Sequence, residues 1–201
     1  MSITRRLLMV LLVAMTSLPC AAAEVEGTRF EDTITAYGAK LVLNGAAVRK
    51  RSYFKTDAVG LYLPEKTTTA STIYKTTAPR LLRLVILRDL SSSQASRYVI
   101  NEFKQAASDK EFKLLINDLG VMGGVYGSIN KISKGDVIDV AWVPDRGMVV
   151  TYNGKSILDK SLSDLLFYEV YMRMYVGPHV PEDFRNGLMG GAQPTKVASA
   201  N

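Results

Sequence analysis

His179 is the only histidine in the sequence, so a nucleophilic triad of the Ser-His-Asp type would have to use it. It lies in the segment Gly-Pro-His-Val-Pro, which is typical of a turn, whereas a triad histidine must be held between a nucleophile and a carboxylate. The sequence therefore favours a structural or exposed histidine. One histidine, one cysteine (Cys20) and no carboxylates clustered at ligand spacing cannot assemble a zinc site. No metal and no cofactor is predicted.

Two further patterns suggest chemistry but are better explained by structure. The glycine-rich stretch 120–127 (GVMGGVYG) follows a predicted helix and lacks the Lys-Ser/Thr pair of a phosphate loop, so a flexible turn between helix and strand is predicted. Several carboxylates flank predicted elements, but surface charge is the default for such residues. We therefore expect four aspartates to be solvated and not paired for acid–base work: Asp136, Asp139, Asp159 and Asp164.

Arg49 is the residue best suited to bind a ligand. It follows a predicted Gly-Ala-Ala turn (45–47) and precedes a long apolar strand. Beside an apolar cleft, a guanidinium group is a strong hydrogen-bond donor to a carboxylate or an enolate oxygen. The alternative is a solvated basic turn formed by Arg49, Lys50 and Arg51. Taken alone, the residues favour that alternative, because runs of charge usually face solvent.

The first half of the chain predicts strands and the middle predicts helices. Apolar alternation and β-branched runs indicate five strands: Thr28–Ala36, Lys40–Leu43, Tyr53–Leu63, Ser71–Lys75 and Leu81–Leu87. A helix is expected from Ser92, because Val99, Phe103 and Ala106 recur at helical spacing and Ser91–Ser93 offer capping hydroxyls. A second helix is expected from Asp109 to about Gly120, with one apolar face: Phe112, Leu115, Ile116 and Leu119.

The remainder predicts a strand meander and two helices. Val137–Val143 and Met148–Tyr152 are joined by a turn, and Asn153-Gly154 is a strong hairpin signal that leads into a third strand. A third helix is expected over Leu162–Tyr175, and Pro181 opens a short last one. Strands, helices, strands and helices in this order indicate an α+β fold, with an antiparallel sheet covered on one face by helices.

The N-terminus predicts export. Arg5 and Arg6 precede an apolar stretch, and Ala21 and Ala23 are the small residues of a cleavage site, so residues 1–23 are expected to be a cleaved signal peptide. The alternative is an uncleaved membrane anchor, which the short apolar run and the polar residues after it disfavour. We therefore expect a periplasmic protein with one domain over 24–190 and a disordered tail over 191–201. Cys20 would leave with the signal peptide, so the mature chain would contain no disulfide.

The charge balance limits the range of partners. The formal net charge of +6 falls to +4 without Arg5 and Arg6, and the longest basic run is 49–51. Nucleic-acid-binding proteins concentrate far more charge on one face, so no nucleic-acid partner is expected. The balance is compatible with weak attraction to anionic membrane surfaces.

The segment 41–65 resembles the chalcone isomerase family, whose members carry a Gly-Ala-Gly-Val-Arg turn and a strand ending Ala-Ile-Gly-Val-Tyr-Leu. The matching residues here are Gly45-Ala46-Ala47-Val48-Arg49 and Ala58-Val59-Gly60-Leu61-Tyr62-Leu63. The stretch 167–190 also resembles exported bacterial members of this family. The resemblance implies an open-faced β-sandwich, in which helices pack over one face of a large antiparallel sheet and a ligand cleft lies between them.

The same resemblance implies which residues form the site. Arg49 matches the catalytic arginine of the plant enzyme, and Asp57 falls where the enzyme has threonine and fatty-acid-binding relatives have tyrosine. Ala95 and Glu102 replace a tyrosine and an asparagine. Ala95 cannot donate a hydrogen bond, and Glu102 would repel a developing oxyanion. Chalcone cyclisation is therefore not expected, and the predicted ligand-binding residues are Arg49 and Asp57.

Three functions remain open from the sequence. The leading hypothesis is an exported, non-catalytic protein that binds a hydrophobic small molecule, a fatty acid or another lipid, with the polar end at Arg49. If Asp57 pairs with Arg49, a carboxylate must compete with it, which favours a neutral lipid or an anion that displaces Asp57. The alternatives are an isomerase or lyase acting on another enone-type substrate, and a structural or interaction protein of the cell envelope.

Overall fold

The computed structural model describes residues 23–158 and 162–191. It contains eleven strands and five helices within these residues. The strands are β1 (Ala23–Val25), β2 (Thr28–Phe30), β3 (Thr33–Ala36), β4 (Ala39–Arg51), β5 (Phe54–Leu63), β6 (Arg80–Ile86), β7 (Leu90–Ser91), β8 (Lys131–Ile132), β9 (Val137–Val143), β10 (Gly147–Tyr152) and β11 (Lys155–Ser156). The helices are α1 (Ala70–Lys75), α2 (Ser92–Ala106), α3 (Asp109–Gly127), α4 (Leu165–Val176) and α5 (Glu182–Leu188). The predicted signal peptide, apart from Ala23, and the predicted tail, apart from Gly191, lie outside the described residues.

Seven strands form one antiparallel sheet in the order β11-β10-β9-β6-β5-β4-β3. β6 is central and nearly continuous in Leu, Val and Ile, as expected of a strand covered on both faces. The C-terminal meander β9-β10-β11 is present as predicted, and Asn153 and Gly154 both have positive φ, which the tight hairpin requires. The predicted α+β fold with a large antiparallel sheet is confirmed.

The two faces of the sheet are covered differently. All the long helices pack on one face and form the larger core, which includes Phe103, Phe167 and Tyr171. The other face is covered around Tyr62 by the N-terminal hairpin β1–β2, whose Phe30 is 1% exposed. Phe30 lies over Gly60, where a Cβ would come within 2.6 Å of its ring. None of the helices in 23–158 and 162–191 is long and apolar enough to cross a membrane.

The helical predictions need four corrections. The segment 71–75 was expected as a strand but lies in the short helix α1. Ile73 is the one buried residue of α1, and a single helical turn is enough to direct it into the core. The stretch 120–127 is not a flexible turn but the last part of α3. Gly123 packs against Ser96 and Ile100 of α2, so its lack of a side chain lets the two helices approach closely.

The other two corrections concern the faces and ends of helices. Ile116, expected on the apolar face of α3, is 49% exposed, while Leu115 and Leu119 are buried. α4 begins at Leu165, after the N-cap Asp164, and not at Leu162. Leu162 instead forms a bridge to Met148 at the edge of the sheet. The N-cap Ser91 of α2 is as predicted and belongs to a complete capping box with Gln94.

Candidate functional site

Arg49 and Arg51 lie on the helix-covered side of β4, near its C-terminal end. β4 continues from Ala39 to Arg51, so the predicted Gly-Ala-Ala turn is absent and Gly45 lies beside a register shift within the strand. Residues two apart in a strand face the same side. Arg49 and Arg51 therefore both face the helical layer. Accordingly, Arg49 is 8% exposed and Arg51 is half-buried, whereas Lys50 between them is exposed. The alternative of a solvated basic turn is wrong for both arginines.

Asp57 lies directly opposite Arg49 in the ladder between β4 and β5. Arg49 Nε donates to Asp57 Oδ2 at 2.9 Å, and Arg49 Nη2 lies 2.8 Å from the same oxygen. Arg51 Nη1 donates to Asp57 Oδ1 at 2.8 Å. The Thr56 hydroxyl donates to Asp57 and accepts from Arg51. The carboxylate of Asp57 is 1% exposed and is held by two guanidinium groups.

Glu102 of α2 reaches the same two arginines from the helical layer. Arg49 Nη1 donates to Glu102 Oε2 at 3.0 Å, and Arg51 Nε donates to Glu102 Oε1 at 2.6 Å. The four residues Arg49, Arg51, Asp57 and Glu102 form what we call the ion-pair cluster, with two charges of each sign. The cluster connects the sheet to α2. Glu102, expected from the sequence to repel an oxyanion, is a direct partner of both arginines.

The two charges of the Arg49–Asp57 pair stabilise each other. Burial on its own would lower the pKa of Arg49, but the neighbouring carboxylates outweigh it, Asp57 more than Glu102, and the pKa is raised well above its usual value. Burial would raise the pKa of Asp57, but Arg49 and Arg51 outweigh it and the pKa is lowered. Both groups are therefore charged at neutral pH.

Aromatic rings complete the surroundings of the two guanidinium groups. The Arg49 guanidinium carbon lies 4.7 Å from the ring centre of Tyr175, and that of Arg51 lies 4.4 Å from Tyr98. Tyr175 continues a chain of buried hydroxyls, since its oxygen is 3.3 Å from that of Tyr171, which is 3.0 Å from that of Tyr126. Burial raises the pKa of all three phenols, so they remain protonated donors.

Two spaces adjoin the ion-pair cluster, and Arg49 lines both. The first lies between the sheet and α2–α3, where the resemblance implies a ligand cleft. It measures about 30 Å³, the volume of about one water molecule, because it is filled by apolar side chains of the chain itself: Leu84, Ile86, Leu90, Val99, Ile132 and Ile138. Ala95, which the resemblance matches to a tyrosine of the plant enzyme, also lines this space.

The second space is a hollow of about 490 Å³ on the other side of Arg49. Its volume is within the range of small-molecule sites. It lies between β4, α2, α4 and the segment that leads into α5. Its apolar lining is formed by Val48, Ala106, Met174, Val180, Pro181 and Phe184. Its polar lining is formed by Arg49, Lys50, Ser52, Glu102, Gln105, Arg173, His179 and Asp183. We refer to this space as the hollow.

The register shift in β4 positions α5, which contributes Phe184 to the hollow. Asn44 Nδ2 donates to the carbonyl of Leu188 at 2.8 Å, and Asn44 Oδ1 accepts from the amide of Thr67 at 2.7 Å. A Cβ on Gly45 would lie 2.1 Å from the carbonyl oxygen of Gly187, so only glycine allows α5 to sit on the strand here. The glycine of the family motif is thus explained by a backbone contact.

The other predicted residues are placed as follows. His179 is exposed and lines the hollow, without a nucleophile or an ordering carboxylate among its described hydrogen bonds. Asp139, expected to be solvated, is paired with Arg83 through two hydrogen bonds of 2.8–2.9 Å. Asp136 is likewise not simply solvated, since it accepts from Tyr152 and Asn153. Within 23–158 and 162–191, no three His, Cys, Asp or Glu side chains are grouped closely enough to hold a metal ion.

Sequence reasoning missed three parts of the site. Arg51 and Thr56 were not proposed, although the period of a strand places Arg51 beside Arg49 once β4 is extended to its end. The tyrosine chain was also missed, and its signal was available, since Tyr171 and Tyr175 are four residues apart on one helix. The hollow had no signal in the sequence, because its wall depends on how residues 177–184 pack.

Comparisons with known proteins agree with this fold. A solved structure of an Arabidopsis thaliana fatty-acid binding protein superimposes with a TM-score of 0.65, covering 85% of this chain and 96% of that one at 16% sequence identity. At this identity the match shows a shared fold. No curated protein matches by sequence comparison. A family model described as chalcone isomerase-like matches residues 22–190. The chain is therefore a member of the chalcone isomerase-like family.

Proposed function

We propose that this protein is exported and binds a hydrophobic small molecule with one polar end, a fatty acid or another lipid, without catalysing a reaction on it. The observation that carries the proposal is the position of Arg49, which is nearly buried and lines a hollow of about 490 Å³ with an apolar wall. A carboxylate or hydroxyl at Arg49 would leave the hydrocarbon chain against Met174, Val180 and Phe184. Each buried CH₂ contributes about 0.8 kcal/mol.

The structural neighbour supports the class of ligand in this proposal. It is named a fatty-acid binding protein, and it shares the fold that positions Arg49 here. Its name supplies a ligand class to test first. Among the polar residues that line the hollow, Arg49 is the one that also lines the space between the sheet and α2–α3, which makes it the first candidate for the polar contact.

The ion-pair cluster argues against catalysis at Arg49. All three nitrogens of its guanidinium group are already within 3.0 Å of a carboxylate oxygen of Asp57 or Glu102. An electrophilic role requires positive charge that is available to a developing oxyanion. At Arg49 the charge is already neutralised by Asp57 and Glu102, and both carboxylates would repel an oxyanion. Glu102 is the partner that also lines the hollow, so an incoming carboxylate would compete with Glu102 first. A neutral polar end can accept from Arg49 without that competition.

Native mass spectrometry of the protein purified from its host tests the proposal. We expect a bound species in the mass range of a lipid, and an N-terminus near Glu24 if the chain is exported and cleaved. The Arg49→Gln variant should retain less of that species, and Arg83→Gln is the matched control, because Arg83 also pairs with a carboxylate but lines neither space. An empty protein whose fatty-acid affinity is unchanged in Arg49→Gln would overturn the proposal.

A structural role in the cell envelope is the second candidate. The observation that favours it is the filling of the sheet–helix interior by the protein's own side chains, which leaves about 30 Å³. If this role is correct, no lipid copurifies, and crosslinking in the host captures a protein partner with equal yield for wild type and Arg49→Gln.

A further inference from the structure

The hairpin that joins β4 to β5 exposes two adjacent aromatic side chains. Tyr53 is 98% exposed and Phe54 is 57% exposed, and the turn is made possible by Ser52 in the left-handed region at φ 54°. Among the large apolar side chains of the described residues, Tyr53 is the most exposed. Tyrosine and phenylalanine at a protruding tip are suited to the boundary between water and hydrocarbon, because both carry a large apolar ring and the tyrosine hydroxyl can remain in water.

The tip belongs to an end of the sheet that is rich in basic residues. The register pairs Asp57 with Ile86 and Val85 with Val137, so the segments 50–55, 87–89, 131–136 and 153–155 all lie at this end. Arg51 is not counted here, because it belongs to the ion-pair cluster. The other cations of these segments are Lys50, Lys55, Arg88, Lys131, Lys134 and Lys155. The nearby acids are fewer: Glu26, Asp89 and Asp136.

Several of these cations are available to a partner. Lys131 pairs with Asp89 and Lys55 pairs with Glu26, but in the described part of the chain no carboxylate lies within 4.0 Å of the ammonium groups of Lys50, Lys134 or Lys155. The Arg88 guanidinium carbon lies 4.0 Å from the ring centre of Phe54, so a cation sits directly beside the aromatic tip. Exposed aromatic rings among unpaired cations are complementary to a surface that is both apolar and anionic.

We propose that this end of the sheet docks onto a membrane that contains anionic lipids, with Tyr53 and Phe54 inserted between headgroups. The inference goes beyond the proposed function and does not depend on it. The two are spatially connected, however, because Lys50 and Ser52 of the same hairpin line the hollow. Docking by this tip would place the hollow next to the bilayer, where a lipid could pass between them.

Two single tryptophan variants test the docking. Tyr53→Trp places a fluorophore at the tip. Tyr37→Trp is the matched control, since Tyr37 is an exposed aromatic at the β3–β4 turn, at the opposite end of the sheet, and Arg146 lies near its ring. The chain's one natural tryptophan, Trp142, is 8% exposed and gives the same background in both. Each variant is expressed as the full chain and purified from the host. It is then mixed with phosphatidylglycerol–phosphatidylethanolamine vesicles whose acyl chains are brominated.

We expect bromine to quench Tyr53→Trp and to leave Tyr37→Trp at background. Because both variants share the same N-terminus, an anchor elsewhere in the chain cannot produce this difference. Lys50→Ala with Lys134→Ala should weaken vesicle binding about 25-fold at low salt, at about fivefold for each charge near an anionic surface. No quenching of Tyr53→Trp, equal quenching of both variants, or equal binding to phosphatidylcholine vesicles would overturn the proposal. If Tyr53→Trp is not quenched and the same surface captures an acidic protein, the surface would be assigned to that protein.

Discussion

Two buried arginines of this molecule, Arg49 and Arg80, are held in opposite ways. Arg49 is surrounded by the carboxylates of Asp57 and Glu102 and lines the hollow. Arg80 is 0% exposed, and no carboxylate within the described residues pairs with it. Its Nη atoms donate to the backbone carbonyls of residues 74, 76 and 78, and its guanidinium carbon lies 4.6 Å from the ring centre of Tyr168.

The pKa shifts of the two arginines reflect this difference. Burial lowers the pKa of Arg80, since nearby tyrosine and glutamate groups only partly compensate for the loss of water. At Arg49 the carboxylates outweigh burial and raise the pKa. Arg80 fixes α1, the strand β6 and α4 together and lines neither space beside the cluster. Burial alone therefore does not distinguish a candidate ligand-binding arginine from a structural one, whereas an adjoining hollow does.

Removing the buried carboxylate is expected to have the largest effect. Asp57→Ala leaves two guanidinium groups without their shared partner, and breaking a buried ion pair costs about 3–5 kcal/mol of unfolding free energy. Asp139→Ala, which breaks the more accessible pair with Arg83, should cost about 1 kcal/mol or less. Urea unfolding measures both. Equal losses of unfolding free energy in the two variants would show that the ion-pair cluster stabilises the fold no more than the accessible pair does.

Truncating Arg80 should destabilise the fold by a somewhat smaller amount. Arg80→Ala is expected to lower the unfolding free energy by about 3 kcal/mol, because it leaves a cavity beneath Trp142 and Tyr168. Arg80→Met fills that volume and should recover part of the loss. Neither variant should change ligand affinity in a titration made under folding conditions. A loss of affinity in Arg80→Met would contradict the division of roles between the two arginines.

Acid should weaken the contribution of Asp57 to the free energy of unfolding. The pKa of Asp57 is lower in the folded state than the ordinary aspartate value of 3.8, because Arg49 and Arg51 outweigh the effect of burial. Its contribution is therefore fully present above pH 3.8 and is lost as the pH falls through the lowered folded value. We expect the difference in unfolding free energy between wild type and Asp57→Asn to be constant above about pH 5 and to shrink below pH 3.8. A difference that grows on acidification would contradict the assigned sign.

Much of the fold was predictable, and the reasons are local. The Asn153-Gly154 hairpin, the cap at Ser91 and the apolar central strand β6 each follow from residues close in sequence. The segment 71–75 was not predictable, because its short alternating pattern suits a strand as well as one helical turn. The end of α3 was missed because glycines that pack against a neighbouring helix look like a turn in the sequence alone.

The site was predictable only in part. Arg49 was identified, and Asp57 with it, from the resemblance. Their direct pairing depends on the register shift between Arg49 and Lys50, which no local pattern encodes. The contact of Glu102 with both arginines depends on how α2 crosses the sheet. The volume on each side of Arg49 is a property of packing, and side-chain types alone do not give it.

Two variants at the same guanidinium group test whether Arg49 binds the polar end of the ligand. Fatty-acid affinity is measured by titration for wild type, Arg49→Gln and Glu102→Gln, with the fatty alcohol of equal length as a neutral reference. If Arg49 holds the polar end, Arg49→Gln should weaken fatty-acid binding about tenfold or more, since a charged hydrogen bond contributes about 1.5–3 kcal/mol. Glu102→Gln should strengthen fatty-acid binding, because it removes the carboxylate that competes for Arg49, and it should leave the affinity for the fatty alcohol unchanged. Equal affinities of all three proteins for the fatty acid would contradict the claim that Arg49 binds the ligand.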